Sequence, residues 1–233
     1  MSPVLEQLCG DAGALLLDFD GPVCNIFAGY PARTVARELV QILRTQGADA
    51  ADQPDPLEVL RGAGARADKD LTTAVEDALV AAEVRAASTA EPTPYGREVI
   101  VAASQLGIPV AVVSNNSPQA VDAYLRAHRL TRHIALVVGR AYADPARMKP
   151  NPAPILGAAE ALGVEPGRCV LVGDSLSDIE GARAAGTRVI GYANKPPKER
   201  AFREAGADIV VTSMRDIAEA LVEAVEAGSG GAR

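Results

Sequence analysis

At 233 residues the chain is long enough to bury a full core, as one large domain or one domain carrying an insertion. Its formal net charge is −7, from 23 basic and 30 acidic residues, and the basic residues are scattered, which argues against nucleic acid or an acidic membrane as the partner. The cysteines Cys9, Cys24 and Cys169 are odd in number and widely spaced, so neither a disulfide framework nor a zinc site is expected.

The first residues, Met1-Ser2-Pro3-Val4-Leu5-Glu6, have neither the basic start nor the long apolar run of a secretion signal. No stretch reaches the roughly 18 apolar residues of a membrane-spanning helix. A cytoplasmic protein is the expectation. Ala14 to Asp18 is a short apolar run that predicts a strand. Pro31 to Gly47 has helical spacing at Val35, Leu39, Ile42 and Leu43, with proline near its start and glycine as its stop. Residues 48–56 read as a loop. Helices are predicted over 57–62 and 71–87, the second with an apolar stripe at Leu71, Val75, Ala78 and Leu79. Glu91-Pro92-Thr93-Pro94 then breaks the chain.

Beyond residue 95 strand-like and helix-like segments alternate. Strands are predicted at 109–114, 134–139, 169–174, 188–192 and 209–212. Helices are predicted from Gly96, at 118–129, 152–162, 176–185 and 198–205, and at 215–227. The strands are apolar on both faces, as strands covered by helices on both sides should be. The expected fold class is therefore α/β, a Rossmann-like parallel sheet with helices on both faces and an inserted all-helical segment. The predicted core is 1–23 with 95–227, the helical insertion is 24–94 without strands, and 228–233 is a tail with nothing to pack against.

Four segments gather polar groups at or near strand ends. Parallel strands deliver their carboxyl ends to the crevice where ligands bind. Asp18 ends the first strand, and Asp20 lies two residues on before Gly21 and Pro22 turn the chain. A carboxylate at a buried strand end needs a partner or a metal. Alone, the segment is equally well read as a turn cap. Asp174 and Asp178 follow another strand, where Ser175 or Ser177 can cap the next helix; capping accounts for Asp178 but poorly for Asp174. Clustered oxygen ligands of this kind suit Mg²⁺. Ser114 and Asn115 close a third strand before Pro118 and could hold phosphate or simply cap a helix. Lys149 lies between Met148 and Pro150, where it could neutralise adjacent carboxylates, although a lone lysine is ordinarily a solvated surface group.

Asp18-Phe19-Asp20-Gly21, Ser114-Asn115, Lys149-Pro150 and Gly173-Asp174-Ser175 to Asp178 resemble, in order and spacing, the four motifs of the haloacid dehalogenase (HAD) superfamily. The insertion after the first motif resembles the helical cap of its phosphoglycolate phosphatase and β-phosphoglucomutase branch. The resemblance implies Asp18 as nucleophile, Asp20 as general acid/base, Ser114 and the Asn115 backbone as phosphoryl ligands, and Lys149 as the cation that steadies Asp18. It implies Mg²⁺ held by Asp18, the Asp20 carbonyl, Asp174 and, directly or through water, Asp178. Asp20 favours phosphoryl transfer over dehalogenation, because dehalogenase members lack an acid there. Pro22 departs from the Thr or Val common at that place. The function expected is a phosphatase for a small phosphorylated metabolite, working as a monomer or small homo-oligomer. A phosphomutase with the same aspartyl-phosphate is the alternative, and a non-catalytic module is the third reading. Arg33 is a candidate for a substrate contact from the insertion, set against a plain solvated helix arginine.

Other signals are discounted. Gly62-Ala63-Gly64-Ala65-Arg66-Ala67 has the glycine spacing of a dinucleotide loop, but no strand precedes it. His128 and His133 lack a metal-type partner. Tyr95 and Tyr142 read as packing or rim residues, and Cys24 as a small apolar filler.

Overall fold

A computed structural model describes the backbone of residues 2–230 and the side chains of residues 2–223. The first element is helix α1 (Pro3–Gly10), which buries Leu5, Leu8 and Cys9. The sequence reading finds nothing before Ala14, because an eight-residue helix is too short to display a period; Pro3 at its first turn is the local signal. Strand β1 (Ala14–Leu17) follows, then β2 (Cys24–Asn25), α2 (Ala32–Thr45), α3 (Pro56–Gly64), α4 (Lys69–Ala87) and β3 (Glu91–Pro92). The expectation that 24–94 holds no strand is corrected here: β2 and β3 pair antiparallel, Cys24 with Pro92 and Asn25 with Glu91. Strands of two residues leave no alternation to read, and a proline inside one of them argues against it.

The remaining elements alternate as predicted: α5 (Gly96–Gln105), β4 (Val110–Val113), α6 (Pro118–Ala127), β5 (Leu136–Val138), α7 (Ala153–Leu162), β6 (Cys169–Gly173), α8 (Leu176–Ala185), β7 (Arg188–Tyr192), α9 (Pro196–Glu204), β8 (Ile209–Val211) and α10 (Met214–Gly230). The predicted tail 228–233 is also revised, because α10 continues through Gly230. Without a proline the backbone ladder can run on, and a glycine costs a helix only about 1 kcal/mol. Residues 231–233 lie outside the described residues.

Six strands form one parallel sheet in the order β5-β4-β1-β6-β7-β8. The chain winds from β1 out to β5 on one side and to β8 on the other, so the winding reverses at β1. Successive side chains of the central strands point to opposite faces. Leu15, Leu17, Val110, Val112, Val170 and Val172 pack against α1, α5, α6 and α10. Leu16, Ala111, Val113 and Leu171 pack against α7, α8 and α9. Helices α2, α3 and α4, lying in sequence between β1 and β4, share a third apolar cluster through Leu39, Leu43, Leu60, Val75 and Leu79. Among the described residues no helix is long and apolar enough to cross a membrane.

Helix α4 also carries charge into the interior. Glu76 and Glu83, seven residues apart on its buried face, both meet Arg140 just after β5. Arg140 Nη2 lies 2.8 Å from Glu76 Oε1, and Arg140 Nη1 lies 3.0 Å from Glu83 Oε1. Burial works against the guanidinium charge, but Glu83 and Glu76 outweigh it and hold Arg140 above its ordinary pKa. Removing one partner of such a cluster strands buried charge. Arg140→Ala should lower unfolding stability by about 3–5 kcal/mol, read from the denaturant midpoint.

Candidate active site

The central strand sets the geometry. Asp18 N–H donates to Val172 O at 2.9 Å, which carries the β1–β6 ladder one residue past the strand, and Asp18 Oδ1 accepts from Phe19 N–H at 2.7 Å. The Asp18 carboxylate thus stands at the carboxyl edge of the sheet, where the winding reverses. The chain turns at once: Gly21 N–H donates to Cys24 O at 2.7 Å, and Asp20 Oδ1 accepts from Ile26 N–H at 3.0 Å. Gly21 has φ +108°, and a Cβ there would overlap the Asp174 carboxylate. Only glycine allows the turn and the close approach together.

Asp174 follows β6 and Asp178 sits in the first turn of α8. Ser175 and Asp178 form a capping box: Ser175 N–H and Oγ donate to Asp178 Oδ2 at 3.0 and 2.6 Å, and Asp178 N–H donates to Ser175 Oγ at 3.3 Å. Capping therefore uses only one carboxylate oxygen. The other, Oδ1, is buried 2.6 Å from Lys149 Nζ, with no donor aligned for a hydrogen bond. A Cβ at Gly173 would overlap Asp178. Asp174 Oδ2 accepts from Asn194 Nδ2 at 2.8 Å and from Lys198 Nζ at 2.7 Å.

Lys149 departs from the common fate of a lone lysine, being only 1% exposed. Its ammonium lies 3.0 Å from Asp18 Oδ1 and donates to Val113 O, the last carbonyl of β4, at 2.7 Å. Asn115 clamps the lysine's main chain. Lys149 N–H donates to Asn115 Oδ1 at 2.8 Å, and Asn115 Nδ2 donates to Lys149 O at 3.1 Å. Ser114 is buried beside it, with Asn116 N–H donating to Ser114 Oγ at 3.1 Å.

Burial pushes the Asp18 carboxyl well above the usual carboxylate range, and the Asp178 charge adds to this while Lys149 opposes it. Burial raises Asp20 to about 6, against the Ile26 N–H that favours the ionised form. For Lys149, burial disfavours the charge, yet Asp178 and Asp18 more than compensate and hold its pKa above the ordinary value. One buried ammonium thus faces more carboxylate charge than it can neutralise. Ligand oxygens of Asp18, Asp174 and Asp178 lie within 4.8 Å of one another. An all-oxygen donor set and two glycines packed on the acids fit a hard divalent cation such as Mg²⁺.

A cleft of about 660 Å³ opens over these groups, lined by Asp18, Asp20, Ser114, Asn115 and Asp174 below and by Phe27, Leu57, Glu58 and Arg61 above. A larger cavity, about 740 Å³, lies between the start of α4 and residues 143–151; it shares Arg61 and Pro150 but none of the strand-end carboxylates, so the smaller cleft is the candidate site. Arg33 is the predicted site residue that the fold does not bring to the cleft. It is exposed on α2, away from the Val35–Leu39–Leu43 stripe that packs inward. Arg61 of α3 lines the cleft instead, donating from Nη2 to Lys149 O at 3.0 Å and pairing with Glu58 at 2.5 Å. Neither Tyr95 nor Tyr142 lines the cleft, and Cys24 is buried with its thiol pKa pushed up by burial.

Sequence reasoning missed Arg61, Arg140, Lys198 and the acids of α4. For Glu76 and Glu83 a signal existed, since two glutamates seven apart share a face with Leu79 and require a buried cation. For Arg61 and Lys198 there was none, because a polar helix residue near a site looks like any other surface charge.

A family model for haloacid dehalogenase-like hydrolases matches residues 14–186. The phosphoglycolate phosphatase of Escherichia coli K12 is 30% identical over 128 residues, 55% of this chain and 50% of that protein. That of Neisseria meningitidis is 35% identical over 100 residues, 43% of this chain and 42% of that protein. The chain thus spans about half the length, or less, of these curated relatives. Among solved structures, a predicted phosphatase from Clostridium acetobutylicum superposes with a TM-score of 0.69 at 16% identity, covering 90% of this chain and 98% of that one. CbbY from Rhodobacter sphaeroides, solved in complex with phosphate, gives 0.66 at 23% identity, covering 87% and 95%. At these identities the structures speak for the fold.

The Asn115 clamp is open to a direct test. Asn115→Ala removes both hydrogen bonds to the Lys149 main chain and should cost about 1–3 kcal/mol of stability by denaturant unfolding, since partly buried groups are left unpaired.

Proposed function

Because the chain belongs to the haloacid dehalogenase-like hydrolase family, we propose that it is a Mg²⁺-dependent phosphatase that hydrolyses a small phosphomonoester through a phosphoryl group carried on Asp18. The observation that carries this reading is the convergence of Asp18, Asp174 and Asp178, with the buried Lys149 ammonium against Asp18 and Asp178, beside a cleft that Asp20 and Ser114 also line.

The residues divide the work by position and charge. Asp18 attacks phosphorus, and the bond to the leaving oxygen breaks. Asp20 gives that oxygen its proton, then takes one from the water that cleaves the aspartyl-phosphate. A pKa of about 6 suits a group that must do both near neutrality. Ser114 Oγ and the Asn115 main-chain N–H bind phosphoryl oxygens, while Lys149 opposes the burial that disfavours the ionised form of Asp18. Asp18, the Asp20 carbonyl, Asp174 and Asp178 would hold Mg²⁺, which when bound supplies neutralising charge for the carboxylates and phosphate. Residues 24–94 act as a cap over the leaving group, presenting Phe27, Leu57 and Arg61 to it. The names of the curated relatives make phosphoglycolate the first substrate to try.

Purified protein should hydrolyse a generic aryl phosphate with Mg²⁺ present, lose that activity in EDTA and regain it when Mg²⁺ is restored. Asp18→Asn should lower kcat by about 10³-fold or more, as removal of a nucleophile does. Asp20→Asn should lower it about 10²–10⁴-fold, the usual range for a general acid/base. Absence of turnover in the wild-type protein, or full activity in Asp18→Asn, would overturn the reading.

A further inference from the structure

The charged cluster between α4 and the sheet reaches further than the joint it makes. Glu83 is fully buried and its two carboxylate oxygens face the segment that follows β4. Oε1 accepts from Asn116 Nδ2 at 3.0 Å, and Oε2 accepts from Ser117 N–H at 2.9 Å. Arg140, which Glu83 and Glu76 hold, donates from Nη1 to Asn115 O at 2.6 Å, and its own N–H donates to Asn116 O at 2.9 Å. Asn116 in turn accepts from Ser114 Oγ at 3.2 Å. Every residue from Ser114 to Ser117 is therefore tied, directly or through one neighbour, to one glutamate of the helical segment. Glu76 differs: its carboxylate meets Arg140 Nε and Nη2, and it makes no hydrogen bond to residues 114–117.

We propose that Glu83, through its direct bonds to Asn116 and Ser117, is a positioning residue for phosphate binding, setting the backbone and hydroxyl of Ser114–Ser117 from behind the site. Its side chain does not touch the reacting atoms. The inference rests on the reading of that segment as the phosphate ligand. A buried carboxylate that accepts a main-chain N–H and a side-chain amide, while paired with a guanidinium, has little freedom to shift. The geometry seen by the phosphoryl oxygens is thereby fixed by a residue of α4, outside the four strand-end segments.

Glu76 supplies the control, since Glu76→Gln and Glu83→Gln each remove one buried charge from the same cluster. Both should lower the unfolding midpoint. Only Glu83→Gln should weaken inorganic phosphate as a competitive inhibitor and raise KM for an aryl phosphate, each by about tenfold, the scale of one lost buried hydrogen bond; kcat should change less. Glu76→Gln should leave both within about twofold. If Glu83→Gln does not fold, Asn116→Ala breaks the same link from the other end, with the Arg140–Glu83 pair intact, and should raise both constants similarly. Equal shifts in the two glutamine variants, or unchanged phosphate inhibition in Glu83→Gln and Asn116→Ala, would overturn the proposal. Wild-type protein that turns over no phosphate ester and binds no inorganic phosphate would overturn instead the functional reading beneath it.

Discussion

One buried ammonium organises this molecule. Lys149 is buried, so its charge must be met by protein oxygen, and those oxygens come from three different strands' ends: Asp18 after β1, Val113 at the end of β4, and Asp178 beyond β6. A charge in that position tolerates no slack, because an unpaired buried ion costs several kcal/mol. The surrounding details follow from it. Asn115 fixes the lysine's main chain at both its N–H and its carbonyl, the capping box turns one Asp178 oxygen toward the helix and leaves the other for the ammonium, and glycine at 173 and 21 lets the acids approach. The excess of carboxylate over ammonium that remains is what a divalent cation would offset.

A second buried cation, Arg140, solves a different problem with a different side chain. Four carboxylate oxygens and a main-chain carbonyl converge on it from three directions, which a planar fork with five donors can satisfy and a lysine could not. At Lys149 the demand is opposite: a compact point charge reaching between two acids at a strand edge. The two clusters meet at Asn115, whose side chain serves Lys149 and whose carbonyl serves Arg140. The turn after β4 is therefore held from both faces.

Much of this was legible in the sequence, for physical reasons that also explain the gaps. The parallel sheet could be read because each central strand is an unbroken apolar run, and the carboxylates because they stand where those runs stop. Asp178 could be read only as ambiguous, and the structure shows why: one oxygen caps α8 and the other meets the Lys149 ammonium. The paired strands β2 and β3 could not be read, since two residues carry no period. Arg33 and Arg61 are alike in sequence, each an arginine on an amphipathic helix, and only the crossing of α3 over the Lys149 carbonyl separates them. Long-range partners such as Glu83 and Arg140, 57 positions apart, are invisible to any local pattern, although a glutamate pair on a buried helix face announces that a partner must exist.

The helical segment is joined to the sheet by attachments of very different strength. On the α4 side stands the fully buried Arg140 cluster, together with apolar packing in which Ala86 and Ala87 join the main core. Breaking it would expose stranded charge at a cost of about 3–5 kcal/mol. On the α3 side the polar link to the lysine is a single hydrogen bond from Arg61, a half-buried side chain that also pairs with Glu58 on its own helix, and such a bond contributes about 1 kcal/mol. The wall over the strand-end carboxylates therefore rests on the weakly tied α3, whereas the geometry of Ser114–Ser117 rests on the strongly tied α4 of the same segment.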